Sequence, residues 1–233
     1  MILAGGLGTR MRPYTESFPK ALIPVLGRPF TDWQLEWLRD QGVTRVVYSI
    51  GYRGDAVQRH VGSGQEFGLH VTYVDEGANL RGTGGALRLA ADLDQLPAAF
   101  FLLYGDSYLQ VDLAEVEGAW RRAALPALMT VFRNDGRWDA SNAIYENGRV
   151  TVYDKRPASR RPAMRWIDYG LSILRRSDVE QGVEEERPAD VAELLQDLSS
   201  RRALAGYEVT DRFYEVGSPA GLRALESHLA SIR

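Results

Sequence analysis

Hydrophobic and polar positions along the first half of this chain alternate in the rhythm of strands separated by helices. Arg45–Ile50 (RVVYSI), residues 69–74 and Ala99–Tyr104 are short apolar runs rich in β-branched and aromatic residues, which predicts strands. Between them, helical spacing of apolar residues predicts helices near 55–61 and 86–93. Phe30, Trp33, Trp37 and Leu38 also recur at helical spacing. Thr31 with Gln34 three residues on reads as a capping box at the start of that helix, and Gly42 is placed to end it. Alternation of this kind implies a parallel sheet covered by helices on both faces.

The second half changes style. Ala127–Arg133, 142–146 and 150–154 read as strands, the last two joined by the hairpin dipeptide Asn147-Gly148. Val191, Leu194, Leu195 and Leu198 mark an amphipathic helix. Ser218 as cap and Pro219 in the first turn open a last helix carrying Leu222, Leu225, Leu229 and Ile232. The basic, proline-containing stretch 156–162 is the best candidate for a mobile surface loop. With no internal repeat or long linker, a single domain over 1–233 is expected. The first strand, at residues 1–3, is short, which leaves open whether residues precede it.

Composition narrows the function. At 233 residues, with 45% hydrophobic and 25% charged residues, the chain can bury a sizeable core. Its longest apolar runs, such as 98–103, fall well short of the roughly 20 residues of a membrane span, and no signal-peptide pattern opens the chain, so a cytoplasmic protein with no membrane partner is expected. The absence of cysteine excludes disulfides, thiolate nucleophiles and sulfur-ligated metals, and three scattered histidines make a histidine-built metal site a poor expectation. Any metal would sit on oxygen ligands. A net charge of −3 argues against bulk nucleic-acid binding, although a small anionic ligand needs only a local basic pocket. Among 28 basic residues the only lysines are Lys20 and Lys155, which suggests either chance or two sites that want a compact ammonium.

The richest segment is LAGGLGTR, where Gly5, Gly6, Gly8 and Thr9 follow the first strand and precede Arg10, with Lys20 behind Pro19. Glycines let backbone N–H groups approach a phosphate, and the two cations can neutralise it. An ordinary strand-to-helix turn explains the glycines but not the Arg, Pro and Lys that follow. A dinucleotide fold would need a third glycine at Met11 and an acidic residue at the end of the second strand, where Ile50-Gly51 stands. A Walker loop needs Gly-Lys-Ser/Thr, and neither lysine follows a glycine.

These motifs resemble those of the sugar nucleotidyltransferases, the nucleoside-diphosphate-sugar pyrophosphorylases. Gly5 to Arg10 with Pro19-Lys20 is similar to their signature loop. The likeness continues in order through Leu80 to Gly85, Tyr104-Gly105-Asp106, Asp154-Lys155, Tyr169-Gly170 and Glu215-Val216-Gly217. The run 103–155, with Asn134 to Asp139, is most similar to the branch containing heptose 1-phosphate guanylyltransferases. The resemblance implies an α/β fold: a three-layer αβα, Rossmann-like nucleotidyltransferase fold with a mixed, mainly parallel central sheet. It implies an enzyme that transfers a nucleoside monophosphate from a nucleoside triphosphate to a sugar 1-phosphate, with Mg2+ as cofactor and a homo-oligomer as one possible assembly.

An oxygen of a sugar phosphate is already an anionic nucleophile, so the reaction asks mainly for two polyanions held in line with their repulsion cancelled. Arg10, Lys20 and Asp106 are the implied catalytic residues: Arg10 for the departing pyrophosphate, Lys20 for the α-phosphate and Asp106 for magnesium. Leu3, Ala4, Gly5, Gly6, Gly8 and Thr9 would line the nucleotide. Gly82, Thr83 and Gly85 would form a loop against base and ribose. Glu76 is the candidate reader of the base: its carboxylate can accept from two guanine N–H groups, which favours GTP, or it is an exposed turn residue. Asn142, Asp154, Lys155 and Gly170 would take the sugar phosphate, with Trp138, Asp139 and Tyr169 as further candidates. Asp106 could instead cap a turn. Glu215 stands where relatives carry a second metal-binding Asp, or it is a solvated edge carboxylate.

Heptose 1-phosphate is the favoured acceptor, with mannose 1-phosphate or N-acetylmuramate 1-phosphate, and another base, as alternatives. A metal-dependent glycosyltransferase would show Asp-x-Asp, whereas Asp106 is followed by Ser107 and Tyr108. A non-catalytic nucleotide-sensing subunit would be expected to lose Arg10, Lys20 or Asp106, and all three are present.

Overall fold

The computed structural model describes residues 1–12, 14–77 and 79–232. In chain order its elements are β1 (Ile2–Leu3), α1 (Tyr14–Ser17), β2 (Pro24–Val25), β3 (Arg28–Pro29), α2 (Phe30–Asp40), β4 (Arg45–Ile50), α3 (Gly54–Val61), β5 (His70–Asp75), α4 (Gly82–Asp92), β6 (Ala99–Tyr104), β7 (Ser107–Tyr108), α5 (Leu113–Ala123), β8 (Ala127–Arg133), β9 (Ala143–Glu146), β10 (Arg149–Tyr153), β11 (Trp166–Arg175), α6 (Arg176–Gly182), α7 (Val191–Ser200), β12 (Leu204–Val209), β13 (Tyr214–Glu215) and α8 (Pro219–Ser231). Among the described residues no helix is long and apolar enough to cross a membrane.

The chain forms two compact units interleaved in sequence. The first comprises residues 1–80, 103–109 and 213–233, and the second 81–102 and 110–212. In the first unit every pairing of the main sheet is parallel: β5 beside β4, β4 beside β1, and β1 beside the last residues of β6, with Ile2 opposite Leu103 and Leu3 opposite Tyr104. This is the parallel alternation that the apolar runs predicted. A second layer of this unit packs Met11, Ile23, Val25, Phe30, Val216, Leu222, Leu225 and Leu229 into one buried cluster.

Helix α2 begins differently from expectation. Its N-cap position is Pro29, with no side-chain cap, and both capping-box residues are buried inside the helix. The Thr31 hydroxyl meets the Tyr48 hydroxyl at 2.5 Å, while Gln34 donates to the carbonyls of Tyr104 (3.1 Å) and Ser107 (3.0 Å). Those bonds tie α2 to the segment that carries Asp106. Gly42, at φ 80°, stops the helix as expected.

The second unit is mixed, in the order β6-β11-β8-β12-β10-β9. β8 and β12 are parallel, whereas β11 with β8, β12 with β10 and β10 with β9 are antiparallel. Six of the seven residues of β8 are buried, as a continuous apolar run demands of a central strand. The hairpin turn is Asn147-Gly148, both at positive φ. The ten-residue β11 is interrupted in sequence by Asp168, Gly170 and Ser172, and its ladder shifts register between Asp168 and Ser172. Gly170 sits inside the shift at φ 104°, a conformation that suits glycine.

Candidate active site

The first unit gathers the predicted phosphate and metal residues. β1 delivers Leu3 and Ala4 into the glycine loop, with the Ala4 N–H bonded to the Ser49 carbonyl at 2.9 Å. Gly5 is packed so tightly that a Cβ there would lie 2.5 Å from a Glu76 carboxylate oxygen and 3.4 Å from the Gly51 nitrogen. Gly6, in contrast, faces open space. Gly8 adopts φ 60° and its carbonyl accepts from the Thr15 hydroxyl at 3.0 Å. Thr9 and Arg10 follow in one turn of 3-10 helix, both exposed. Glu76 lies directly after β5, and one of its carboxylate oxygens accepts from the Ser49 hydroxyl at 3.3 Å. The base-reader candidate thus stands beside the glycine loop.

Lys20 and Asp106 form an ion pair in which both side chains are mostly buried. Asp106 follows β6, and its carbonyl accepts from the Val216 N–H at 2.9 Å, which brings the strand end carrying Glu215 alongside. The three groups converge on Gly217. A Cβ on that glycine would lie 2.8 Å from the Lys20 ammonium nitrogen and 3.2 Å from an Asp106 carboxylate oxygen, and would collide with the Glu215 carboxylate. Two carboxylates and an ammonium therefore surround a cradle that only glycine leaves open.

Glu215 is engaged more fully than a solvated edge carboxylate would be. One oxygen accepts from the Gly217 N–H and the other from the Ser218 hydroxyl at 2.6 Å, while Ser218 itself caps α8 by accepting from the Gly221 N–H at 3.0 Å. A helix N-terminus favours such an anion. Among the described residues no group of three or more His, Cys, Asp or Glu side chains is arranged to hold a metal. Asp106 and Glu215 fit a hard divalent cation that takes its remaining oxygens from phosphates and water, the usual habit of Mg2+.

The second unit holds the remaining predicted residues. Gly82, Thr83 and Gly85 do not form a loop: they make the first turn of α4. The reason is the segment Arg187 to Asp190, which lies against that turn. The Ala189 carbonyl accepts from the Gly84 N–H at 2.8 Å and the Gly85 N–H at 3.4 Å, and a Cβ on Gly82 would sit 2.6 Å from that oxygen. The Thr83 hydroxyl donates to Asp190 at 2.9 Å and accepts from the Val191 N–H at 2.9 Å. In this structure the glycines therefore serve close packing of protein on protein.

Asn142, Lys155, Asp168 and Gly170 form one network. The Asn142 side-chain oxygen accepts from the Asp168 N–H at 3.0 Å, and the Asp168 carboxylate accepts from the Gly170 N–H (3.0 Å) and the Tyr153 hydroxyl (3.0 Å). The Lys155 ammonium lies 3.5 Å from the same carboxylate, whose side chain is only 5% exposed. Sequence reasoning missed Asp168. Its one signal was its position immediately before the Tyr169-Gly170 pair.

Asp154 is differently occupied: its carboxylate accepts from the Arg156 guanidinium (2.6 Å) and from Gln196 (3.1 Å). Hydrogen bonding to Arg156 holds its carboxyl well below the usual carboxylate range. Its acceptor capacity ties β10 to α7. Tyr169 is buried with its hydroxyl on the Gln110 backbone, while Trp138 is half exposed under the Arg212 guanidinium at 3.8 Å.

A family model described as Nucleotidyl transferase matches residues 1–139. The chain is 27% identical over 186 residues to UTP--glucose-1-phosphate uridylyltransferase of Synechocystis sp., covering 75% of this chain and 48% of that protein. It is 29% identical over 117 residues to D-glycero-alpha-D-manno-heptose 1-phosphate guanylyltransferase of Campylobacter jejuni, covering 50% of this chain and 51% of that protein. The chain spans about a third to a half of the length of the curated relatives it matches. Among solved structures, HddC from Yersinia pseudotuberculosis complexed with GMP-PN matches with a TM-score of 0.79 at 22% identity, over 98% of this chain and 97% of that one. At that identity the likeness is one of fold.

Proposed function

Since the chain belongs to the nucleotidyl transferase family, we propose that it is a sugar-1-phosphate nucleotidyltransferase. A phosphate oxygen of the sugar 1-phosphate forms a bond to the α-phosphorus of a nucleoside triphosphate, the bond from that phosphorus to the bridging β-phosphate oxygen breaks, and pyrophosphate leaves with the electron pair. The observation that carries this reading is the cradle at Gly217, where the Lys20 ammonium meets the Asp106 and Glu215 carboxylates. An ammonium already held beside carboxylates is poised to exchange them for a phosphate, and a preorganised charge costs no reorganisation when the transition state forms.

Each residue then has an electrostatic task. The N–H groups of the Gly5 to Thr9 loop cradle the triphosphate, with Gly6 leaving room for close approach. Arg10 neutralises the departing pyrophosphate. Lys20 binds the α-phosphate and Lys155, steadied by Asp168, binds the phosphate of the acceptor. Asp106 and Glu215 would hold Mg2+, which supplies further neutralisation of the phosphates when bound. No general base is needed, because the nucleophile is already an anion.

The favoured pair is GTP with heptose 1-phosphate. A carboxylate at Glu76, beside the glycine loop, can accept from two guanine N–H groups and matches uracil or thymine carbonyls poorly. The similarity to a heptose 1-phosphate guanylyltransferase supports the same pair. The test is pyrophosphate release with magnesium across GTP, CTP, UTP, dTTP and ATP against heptose, mannose, glucose and N-acetylated sugar 1-phosphates. Turnover confined to other cells of that grid would replace the favoured pair, and silence from folded, nucleotide-binding protein would overturn catalysis.

A further inference from the structure

In the second unit, Arg160, Arg161 and Arg165 line a pocket of about 440 Å³ between the loop 134–141 and the segment 160–165, and none of its lining residues is a predicted substrate residue. Its one acidic lining residue, Asp135, is ringed by Arg165 at 2.7 Å, Arg133 at 3.3 Å and Arg137 at 3.9 Å. Two more guanidinium groups, Arg160 and Arg161, line the pocket without an ion-pair partner among the described residues. Three guanidinium groups against one carboxylate line the pocket, an excess of positive charge in a chain whose net charge is −3.

The walls are built rather than draped. Asn134 is fully buried, and its side chain donates to the Asp139 carbonyl (2.6 Å) and the Ser141 hydroxyl (3.2 Å) while accepting from the Trp138 N–H (3.0 Å). Ser141 in turn accepts from the Gly136 N–H at 3.2 Å. The N–H groups of Asn134 and Asp135 both donate to the Arg165 carbonyl, at 3.0 and 2.9 Å, so the two walls are stitched together through the backbone. On the opposite side Met164 is buried and its N–H bonds the Arg161 carbonyl at 2.9 Å. A fixed scaffold with unneutralised guanidinium forks at its rim lowers the ordering cost of binding an anion. The volume falls within the usual range for small-molecule sites, roughly 300 to 1,000 Å³.

We propose that this pocket, lined by the second unit alone, binds a small polyanion, a molecule carrying at least two phosphate or carboxylate groups. The inference does not rest on the catalytic reading. It is tested by calorimetric titration of the full chain with two probes that are neither nucleotide nor sugar 1-phosphate: 2,3-bisphosphoglycerate and citrate. At least one should bind the parent protein below millimolar concentration and weaken about tenfold or more in the double variant Arg160→Gln/Arg161→Gln, which alters exposed side chains only. Affinity should also fall steeply with salt in the parent and less so in the variant. GTP affinity and melting temperature should be the same in both proteins. Preference for the bisphosphate identifies a phosphorylated ligand, and preference for citrate a polycarboxylate. Failure of both probes to bind the parent, or equal binding to parent and variant, overturns the proposal.

Discussion

Substituting Gly217→Ala adds one carbon at the point where Lys20, Asp106 and Glu215 meet. That carbon would stand 2.8 Å from the Lys20 nitrogen and 3.2 Å from the Asp106 oxygen, whereas ordinary contact begins at 3.4 Å. The Glu215 carboxylate cannot simply retreat, because the Gly217 N–H and the Ser218 hydroxyl hold both of its oxygens. The displacement falls first on the Glu215 carboxylate, the nearest of the three groups, which must loosen those bonds to make room, and then on Lys20 and Asp106. Misplacing a reacting group by about 1 Å can cost ~100-fold in rate, so a loss of roughly 10- to 100-fold in turnover is expected, about 1.4 to 2.7 kcal/mol of barrier. Each bond that Glu215 loses costs about 1 kcal/mol of stability, and this is partly offset. Gly217 is not among the positive-φ glycines, so alanine meets no backbone strain, and it restricts the unfolded chain by ~0.4 to 1 kcal/mol in favour of folding. A melting temperature within ~4 °C of the parent is expected for a chain of this size. The assay is magnesium-dependent pyrophosphate release with both substrates varied, alongside thermal unfolding. Turnover within about threefold of the parent, in a protein that melts normally, would refute the claim that this cradle is where the charges work.

The other expectations concern single groups in one unit or the other. Asp106→Asn should lower turnover at millimolar magnesium by ~30-fold or more, about 2 kcal/mol, since it deletes an anionic ligand; turnover within about threefold would show the metal held elsewhere. Lys155→Ala should raise the KM for the acceptor phosphate far more than that for nucleotide, and equal effects on both would remove its assignment. Gly6→Ala should fold and melt like the parent, because nothing lies within 4 Å of the added carbon, yet raise the KM for nucleotide, which steady-state kinetics would read directly. The Asp154 carboxyl titrates below its unfolded value because Arg156 hydrogen-bonds its charged form, so its stabilising contribution is complete above the unfolded pKa of about 3.9 and fades as the pH falls towards the folded one. The melting-temperature gap between the parent and Asp154→Asn should accordingly shrink between pH 7 and pH 3, and a gap that stayed constant or widened would contradict the Arg156 pairing.

What could be read from the chain was what depends on local pattern. Arg45–Ile50, Ala99–Tyr104 and Ala127–Arg133 were legible because buried strands demand unbroken apolar runs, and Ser218-Pro219 because helix caps draw on few residue types. β11 was illegible for the opposite reason: Asp168 and Gly170 break the run, since there the strand is spent on a bulge and a charged network. α5 was missed because it buries only Leu113 and Val116, too few for periodicity to register. The glycines at 82 to 85 read as a loop and form a helix turn, because chain flexibility and close backbone approach use the same residue, and only the position of Ala189 tells them apart.

The candidate site divides along the same line. Residue types at Gly5, Gly8, Arg10, Lys20 and Asp106 were legible because they stand in the ordered motifs that carry the resemblance. Their partners were not, because partnership is settled by tertiary contact: Gln34 looks like a cap and instead ties α2 beside Asp106, and the Asp154 carboxylate accepts from Arg156 and Gln196. Lys155 makes the point most directly, since the cation proposed for the acceptor phosphate is here held 3.5 Å from the buried carboxylate of Asp168. Such a pair holds the ammonium in place, and under the proposed function an incoming phosphate dianion at similar distance attracts it more strongly than a single carboxylate does. The same logic describes Lys20 on Asp106 in the other unit. Both lysines of the chain thus rest on carboxylates, and the exchange of carboxylate for phosphate is the step on which the proposed chemistry depends.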